Sequence, residues 1–325
     1  MKREKYNLTL SDTRMPFQLT ILGTSSALPT SNRYPTAQVL NVLGRFFLID
    51  CGEGTQTQMR KFKIGFSKID QILITHLHGD HIFGLIGLIS TMILLGREKD
   101  LHIYSHSELQ KYISPQLNFL YPDKIPFQIV YHPLNFKREQ LIFEDKKVKV
   151  FSFPLSHRIP TCGFRFEEIP ALPNLLAKKI EEYQIPIRER QRIKEGGDFL
   201  TSDGQIVSHS ELTAYRFKSR SFAFCSDTKF DESYIESVRN VDLLYHEATF
   251  AENNRELAHT TFHSTGKEAA TIAAKAQVGK LLIGHFSARY KDHAPILEEA
   301  LEVFQETKAI VEGDIFSIEK QKIVY

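Results

Sequence analysis

The apolar positions of the chain predict a series of short strands interrupted by helices. Period-two alternation or a short apolar run predicts strands, and these segments are residues 17–22, 45–49, 71–74, 148–153, 163–166, 221–224, 243–245 and 280–283. Helical segments are predicted over residues 54–62, 82–95, 265–276 and 294–307. Because many strands follow one another without a helix between them, this layered α/β pattern fits two packed sheets covered by helices better than one parallel sheet.

One segment departs from this pattern, between residues 168 and 206, where proline, charge and glycine dominate. Such a composition predicts an inserted, flexible arm that protrudes from an otherwise single domain spanning residues 1–325. Four basic residues alternate within it, so an extended segment would present them on one side: Arg188, Arg190, Arg192 and Lys194. The alternative is a solvated helix face, because glutamates dilute the positive charge.

Composition narrows the class of protein without deciding its function. The net charge of +2 over 325 residues is too balanced to indicate nucleic-acid binding by itself. Three cysteines, an odd number with no CxxC pair, argue against a disulfide framework and favour a reducing, cytoplasmic compartment. No apolar run is long enough for a membrane span, and the charged residues 1–7 have no apolar stretch behind them, so a signal peptide is not expected.

The densest chemical signal is a histidine cluster that follows the predicted strand 71–74. Four metal-binding side chains, His76, His78, Asp80 and His81, fall within six consecutive positions. Imidazole and carboxylate ligands suit zinc and similar divalent ions. In an extended loop, residues two apart point the same way, so His76 and His78 are expected to share one ion, with Asp80 and His81 turned toward a second.

Two ions need more ligands than this loop supplies, and three further candidates each follow a strand-like run: His157, Asp227 and His285. The expected pairing is His76, His78, His157 and Asp227 around one ion. The other ion then takes Asp80, His81, His285 and a bridging Asp227. Two ions of this kind typically lie about 3.5–4 Å apart and share a water that becomes a hydroxide nucleophile. Hydrolysis of an ester, an amide or a phosphodiester is the reaction class implied.

These residues and the motifs around them resemble a known family. His76-Leu77-His78-Gly79-Asp80-His81 is similar to the HxHxDH signature of the metallo-β-lactamase superfamily, and further matching motifs begin at Gly84, Phe224, His246, His263 and His285. Together they resemble the short form of ribonuclease Z, the endonuclease that removes 3′ trailers from precursor tRNA. The resemblance implies a four-layer αβ/βα sandwich, two Zn²⁺ per subunit, a precursor tRNA substrate, a homodimer and an arm that grips tRNA.

The resemblance also assigns chemical roles to individual residues. A metal-bridging hydroxide attacks the phosphodiester and leaves a tRNA 3′-hydroxyl, with Asp80 accepting or orienting the proton of that nucleophile. His263 is the candidate acid for the leaving ribose oxygen, and Glu247 would raise its pKa. Ser264 and Thr265 at a predicted helix start, together with Arg289, are candidate phosphate-binding residues.

Two alternatives remain open at this stage. A small-molecule hydrolase of the same fold would act on phosphodiesters, sulfate esters or thioesters, but would have no use for a basic arm. A metal-binding RNA scaffold without activity would lack a ligand or the acid, and neither is missing here. Metal identity also stays open, since Mn²⁺ or iron can use the same ligands as Zn²⁺.

Overall fold

The computed structural model describes residues 16–122 and 125–323. The expectation concerning a signal peptide falls on residues 1–7, outside the described residues. The strands are β1 (Phe17–Gly23), β2 (Ala37–Val42), β3 (Arg45–Ile49), β4 (Ile69–Leu73), β5 (Leu101–Ser105), β6 (Ile129–Pro133), β7 (Gln140–Glu144), β8 (Val148–Leu155), β9 (Thr161–Glu168), β10 (Asn174–Leu175), β11 (Phe199–Leu200), β12 (Ile206–Val207), β13 (Thr213–Ala214), β14 (Ser221–Cys225), β15 (Leu243–Glu247), β16 (Leu281–Gly284), β17 (Thr307–Ala309) and β18 (Ile315–Ser317).

Two seven-stranded sheets carry the main part of the chain. The first has the order β18-β1-β2-β3-β4-β5-β6, and the second has the order β17-β16-β15-β14-β9-β8-β7. Each sheet contains a run of four parallel strands, β3 to β6 in the first and β14 to β17 in the second, beside antiparallel neighbours. The prediction that the sheets would not be purely parallel is therefore confirmed.

The described residues also form a set of α-helices. They are α1 (Thr55–Lys61), α2 (Gly79–Ile82), α3 (Leu85–Leu94), α4 (Glu108–Leu120), α5 (Ala177–Glu182), α6 (Ile187–Lys194), α7 (His209–Leu212), α8 (Ile235–Val238), α9 (Arg255–Thr261), α10 (Gly266–Ala276) and α11 (Ala294–Leu301).

Three apolar clusters give this arrangement its layers. One contains Phe47 and Leu19 of the first sheet together with Phe164 and Phe222 of the second, so it fills the space between the sheets. A second cluster joins the outer face of the first sheet to α1, α3 and α4. The third joins the outer face of the second sheet to α8, α10 and α11. The order helix, sheet, sheet, helix is the predicted four-layer αβ/βα sandwich.

Two predicted helices differ from the structure. The helix predicted over residues 82–95 begins at Leu85 instead, after α2 has ended at Ile82, because Gly84 donates its N–H to the carbonyl of Cys51 at 2.8 Å. A side chain at Gly84 would meet the Gly52 carbonyl oxygen at 2.2 Å, so the chain must pass this point as glycine. The helix predicted to reach residue 307 ends at Leu301, since Thr307 begins β17 and pairs with β16.

The chain divides into two compact units. Among the described residues, the main unit comprises residues 16–122, 125–167 and 221–318, and the insert unit comprises residues 168–220 and 319–323. The insert therefore continues to Arg220, beyond the predicted end at residue 206. Pairing of β10 with β13 requires this extension, because the strand that partners Asn174 and Leu175 lies at Thr213–Ala214.

The insert unit has a small core of its own, formed by Ile185, Ile193, Phe199, Val207 and Leu212. The basic residues predicted on an extended segment lie in the helix α6 instead. Residues two apart on a helix point in nearly opposite directions, so the expected single basic side is wrong. Residues four apart share a face, and two basic pairs result: Arg188 with Arg192, and Arg190 with Lys194.

Within the described residues, the helices include none with the length and apolar character that crossing a membrane requires.

Candidate metal centre

The predicted ligands come together where the parallel strands of the main unit end. His76, His78, Asp80 and His81 follow β4, Asp227 follows β14 and His285 follows β16, while His157 follows the antiparallel strand β8. The carboxyl ends of parallel strands in one sheet meet at the same edge, which is where α/β proteins bind ligands. Their donor atoms form one group of His76, His78, His157 and Asp227 and another of Asp80, His81 and His285, and Asp227 also lies with His285 and His263.

The first group joins three imidazoles and one carboxylate oxygen. His76 Nε2 lies 3.0 Å from His78 Nδ1, and His157 Nε2 lies 3.3 Å from the same atom. Asp227 Oδ2 is 3.6 Å from His76 Nε2 and 3.9 Å from His157 Nε2. These four residues are the set that the sequence pairs around one ion.

The second group uses the other oxygen of Asp227. Asp227 Oδ1 lies 3.2 Å from His285 Nε2 and 3.5 Å from His81 Nε2. Asp80 Oδ2 lies 3.4 Å from His285 Nε2 and 3.5 Å from His81 Nε2. Asp227 thus offers one oxygen to each group, as expected of a bridging carboxylate.

The geometry of both groups fits a tetrahedral divalent ion. Four donors placed about 2.0–2.1 Å from a zinc ion lie about 3.3–3.4 Å from one another, and the observed distances bracket this value. His81 Nε2 and Asp227 Oδ1 are buried, and neither has a hydrogen-bond partner among the described residues. Buried polar atoms are rarely left unpaired, and a bound cation would satisfy both.

Two of the candidate ligand histidines are oriented by hydrogen-bond acceptors that the sequence did not predict. His81 donates its Nδ1–H to Asp50 at 2.7 Å, and His157 donates its own to the carbonyl oxygen of Phe262 at 2.8 Å. Asp50 is fully buried at the end of β3, and its backbone is left-handed with φ of 55°, as is that of His285 at 60°. The available signal was the position of Asp50 directly after a predicted strand, like the ligands themselves.

Glu247 and His263 form a hydrogen-bonded pair beside the ligands, in which Glu247 is buried and the His263 side chain is 15% exposed. Glu247 is fully buried at the end of β15 and accepts a hydrogen bond from His263 Nδ1 at 2.9 Å. Burial alone would lower the pKa of His263, but the charge and hydrogen bond of Glu247, with Asp227 and Asp80 nearby, raise it to about 9. The Glu247 carboxylate thus favours the protonated imidazole, the form that can donate a proton.

Asp80 is a ligand candidate whose proton affinity is low. Burial would raise the pKa of its carboxyl group, but His81 and His285 hold that pKa well below its usual range. The backbone N–H of Ala27 also donates to Asp80 Oδ2 at 2.7 Å. A carboxylate in this state accepts hydrogen bonds readily but retains a proton poorly, so orienting a nucleophile suits Asp80 better than holding its proton.

The proposed phosphate contacts of Ser264 and Thr265 are not available in this structure. Both residues are fully buried. Ser264 Oγ donates to the carbonyl oxygen of Thr228 at 2.7 Å, and Thr265 Oγ1 donates to Glu252 at 2.8 Å while accepting from the Glu268 N–H of its capping box. Their hydroxyl groups stabilise the start of α10 and its neighbours and are not available to a phosphate. The prediction that Ser264 and Thr265 bind phosphate is therefore wrong.

Arg289 differs from these two residues because its side chain is accessible. It is exposed, its guanidinium lies over the ring of Phe250 at 5.3 Å, and its Nη1 reaches Asn254 Oδ1 at 3.5 Å. The ring contact leaves the planar group in a defined orientation. Binding of a phosphate by Arg289 stays a prediction.

Comparisons with known proteins agree with this fold. The structure of human tRNase Z, short form, is 28% identical, superimposes with a TM-score of 0.66 and covers 93% of this chain and 99% of its own. A metallo-β-lactamase fold protein, YhfI from Bacillus subtilis, has the same TM-score of 0.66 at 17% identity, with 93% and 99% of the two chains covered. A family model described as Anti-Pycsar protein Apyc1 matches residues 17–118.

Two relatives found by sequence comparison are more nearly identical to this chain than these solved structures are. A ribonuclease Z from Bacteroides fragilis (strain YCH46) is 44% identical over 291 residues, covering 90% of this chain and 95% of the relative. One from Porphyromonas gingivalis (strain W83) is 47% identical over 293 residues, covering 90% of this chain and 96% of the relative.

The four-layer sandwich, with two groups of histidine and aspartate donors at its strand ends, defines a metal-dependent hydrolase of the metallo-β-lactamase superfamily. Relatives at 44–47% identity over nine-tenths of the chain narrow that class. The chain belongs to the ribonuclease Z family of metal-dependent endoribonucleases.

Proposed function

We propose that this enzyme is a zinc-dependent endoribonuclease that cleaves the 3′ trailer from precursor tRNA and leaves a tRNA 3′-hydroxyl. The observation that carries the proposal is the hydrogen-bonded pair of buried Glu247 and partly exposed His263 beside the donor groups. A phosphodiester with an alkoxide leaving group needs a proton donor, and this pair supplies one. Relatives and a solved structure named ribonuclease Z and tRNase Z support the choice of substrate.

Seven residues would hold two Zn²⁺ ions per subunit: His76, His78, Asp80, His81, His157, Asp227 and His285. When bound, the ions supply positive charge for the phosphate oxygens and lower the pKa of a water molecule. Asp80 would accept a hydrogen bond from the nucleophile and aim it at phosphorus. As the bond from phosphorus to the ribose 3′ oxygen breaks, His263 would give its proton to that oxygen, and Glu247 would stabilise the imidazolium until then.

Arg289 is the proposed contact to a second phosphate. Its exposed guanidinium lies on the 285–293 loop, four residues beyond His285 and over Phe250. Guanidinium binds phosphate in a bidentate manner, which fixes the orientation of the RNA as well as its affinity.

We propose that the insert unit binds the tRNA body through phosphates. Its helix α6 carries Arg188, with a side chain 86% exposed, and Arg192, 53% exposed. Both line a groove of about 360 Å³ that also contains Tyr183 and Phe199. Cationic groups beside aromatic rings suit an RNA backbone with unstacked bases.

Charge removal on α6 tests this part of the proposal. The variant Arg188→Gln with Arg192→Gln loses two groove cations, so the KM for precursor tRNA should rise and the salt dependence of binding should weaken by about one unit of slope per lost contact. Arg190→Gln with Lys194→Gln removes the same charge from the other side of the helix and is the matched control. Equal effects of the two double variants would show that only net charge matters.

A homodimer is the proposed assembly, with the end of α3 as its proposed interface. Leu94 is 79% exposed and Leu95 is 61% exposed at its end. Adjacent exposed leucines are unfavourable in water and are commonly covered by a partner. Leu94→Glu should shift the mass in light scattering from dimer to monomer, and an unchanged dimer would exclude this surface.

The central experiment incubates the zinc-loaded protein with a precursor tRNA that carries a 3′ trailer. Cleavage beside the discriminator base, abolished by chelator and by Asp80→Ala, is expected. A small phosphodiester serves as the comparison substrate. Rapid turnover of that compound with intact RNA would favour a small-molecule hydrolase instead.

A further inference from the structure

Two threonine hydroxyl groups lie between buried carboxylates and two of the ligand histidines. Thr249 Oγ1 is 2.7 Å from Glu247 Oε2 and 2.9 Å from His285 Nδ1. Thr75 Oγ1 is 2.9 Å from Asp50 Oδ2 and 3.0 Å from His76 Nδ1. All of these residues are buried, so water does not compete for the hydrogen bonds.

The direction of each hydrogen bond follows from the number of protons available. A hydroxyl group has a single proton to donate, and a carboxylate can only accept. Thr249 must therefore donate to Glu247, which leaves its oxygen to accept from the Nδ1–H of His285. Thr75 likewise donates to Asp50, and its oxygen accepts from the Nδ1–H of His76, with the Ser226 hydroxyl, 3.0 Å from Thr75 Oγ1, as a second donor to it.

Backbone hydrogen bonds from the same threonines also hold the two carboxylates in this arrangement. Glu247 Oε2 also receives the backbone N–H of Thr249 at 3.0 Å, and Asp50 Oδ1 receives that of Thr75 at 2.8 Å. Each threonine is thus bound to its carboxylate twice, by backbone and by hydroxyl. This double attachment fixes the hydroxyl oxygen as an acceptor facing the imidazole.

We propose that Thr75 and Thr249 are positioning residues that each hold one histidine, His76 or His285, as the Nδ1–H tautomer and direct its Nε2 lone pair into the donor groups. The inference rests on the proposed metal centre and deepens it. His81 and His157 are oriented directly, by Asp50 and by a backbone carbonyl. The threonines extend the reach of Asp50 and Glu247 to a second imidazole each.

One consequence is that each carboxylate serves two functional groups. Asp50 orients His81 in one donor group and, through Thr75, His76 in the other. Glu247 holds the candidate acid His263 with Oε1 and, through Thr249, the ligand His285 with Oε2. The two devices act on different donor groups, which allows each to be tested with the other as its control.

The experiment uses the zinc-loaded full-length chain and the variants Thr249→Val, Thr249→Ser, Thr75→Val and Thr75→Ser. Valine keeps the shape of threonine and removes the hydroxyl, whereas serine keeps the hydroxyl. Outer partners of ligand histidines typically contribute 10–100-fold to metal affinity. Thr249→Val should weaken one of the two zinc-binding steps by about that factor and Thr75→Val the other, as measured by competition with a chelator, and both serine variants should restore the affinity.

Nitrogen-15 NMR of the histidine rings supplies a readout that does not depend on activity. In the unmodified chain, His76 and His285 should each show a downfield Nδ1–H proton, and Thr249→Val should shift the signal of His285 while leaving that of His76 unchanged. A missing Nδ1–H on either ring, or serine variants as weak as the valine ones, would overturn the inference even if a valine variant fails to fold. Failure of precursor tRNA cleavage would count against the proposed function without changing these results.

Discussion

Replacing Glu247 by glutamine changes one oxygen to an NH₂ group and removes one negative charge. Five donors point at this carboxylate: the Nδ1–H of His263, the hydroxyl of Thr249, and the backbone N–H groups of Thr228, Thr249 and Ser264. A glutamine side chain has one acceptor oxygen, so in either orientation its NH₂ group faces at least two donors. The variant therefore loses both the charge and part of the hydrogen bonding that holds His263.

The magnitude follows from the pKa of His263. Glu247 is the strongest of the groups that raise this pKa to about 9 against the effect of burial. If the pKa of His263 returns to about 6.5, the value of a free histidine, the protonated fraction at pH 7.5 falls to about one-tenth. Glu247→Gln should then lower kcat at least about tenfold, and the loss should shrink as the pH is lowered toward 6.

The comparison with His263→Ala sets the upper limit. A general acid contributes about 10²–10⁴-fold to a rate, which corresponds to about 2.7–5.5 kcal/mol at 1.36 kcal/mol per tenfold. His263→Ala should show this loss while keeping both zinc ions, and adding Glu247→Gln to it should cost much less than in the unmodified enzyme. The assay is single-turnover cleavage of precursor tRNA at saturating zinc. A kcat within twofold of normal for Glu247→Gln, or fully multiplicative losses, would refute the coupling of this pair.

Three further outcomes are expected. Burial and the guanidinium of Arg33 lower the pKa of His293 to about 4, whereas the unfolded chain takes up this proton near pH 6.5. The melting temperature should therefore fall as the pH is lowered from 6.5 to 4, and more steeply than in His293→Gln. Parallel curves for the two proteins would exclude this contribution to stability. Elemental analysis of Asp227→Asn should show that both zinc ions are lost, and two retained ions would contradict the bridging role of Asp227. In the unmodified chain, removal of zinc by a chelator should lower the free energy of unfolding by about 2.7 kcal/mol per site if free zinc was 100 times the dissociation constant. Arg289→Lys should raise the KM for precursor tRNA almost as much as Arg289→Ala, since an ammonium group cannot form the bidentate contact. A normal KM for the lysine variant would show that the positive charge alone, without bidentate binding, accounts for the role of Arg289.

The sequence predicted the fold and most of the ligands because both depend on local patterns. Strand alternation located eight strands, and the cluster from His76 to His81 is unusual enough to be read alone. His157, Asp227 and His285 could be added because each follows a strand, and strand ends of one sheet meet at one edge. The first predicted set, His76, His78, His157 and Asp227, agrees with the donor atoms that lie together, whereas Asp80, His81 and His285 lie together as three and Asp227 joins His285 in a group with His263.

The supporting residues could not be predicted in the same way. Thr249 and Thr75 contact histidines through single hydroxyl groups, and nothing in the pattern distinguishes them from other threonines. Ser264 and Thr265 were assigned to phosphate because a helix start with hydroxyl groups usually exposes its N–H donors. Their burial under neighbouring loops, which depends on packing distant in sequence, removes that possibility.

The left-handed backbone of Asp50 and His285 has a consequence for how this family can vary. An L-residue in that conformation costs about 1–2 kcal/mol relative to the right-handed form, and glycine would remove most of the cost. Both positions nevertheless need their side chains, one as an acceptor for His81 and the other as a ligand. At these two positions, selection for thermal stability therefore favours glycine, while selection for function favours the existing side chains. We expect thermophilic relatives to gain their stability at other positions of the sandwich.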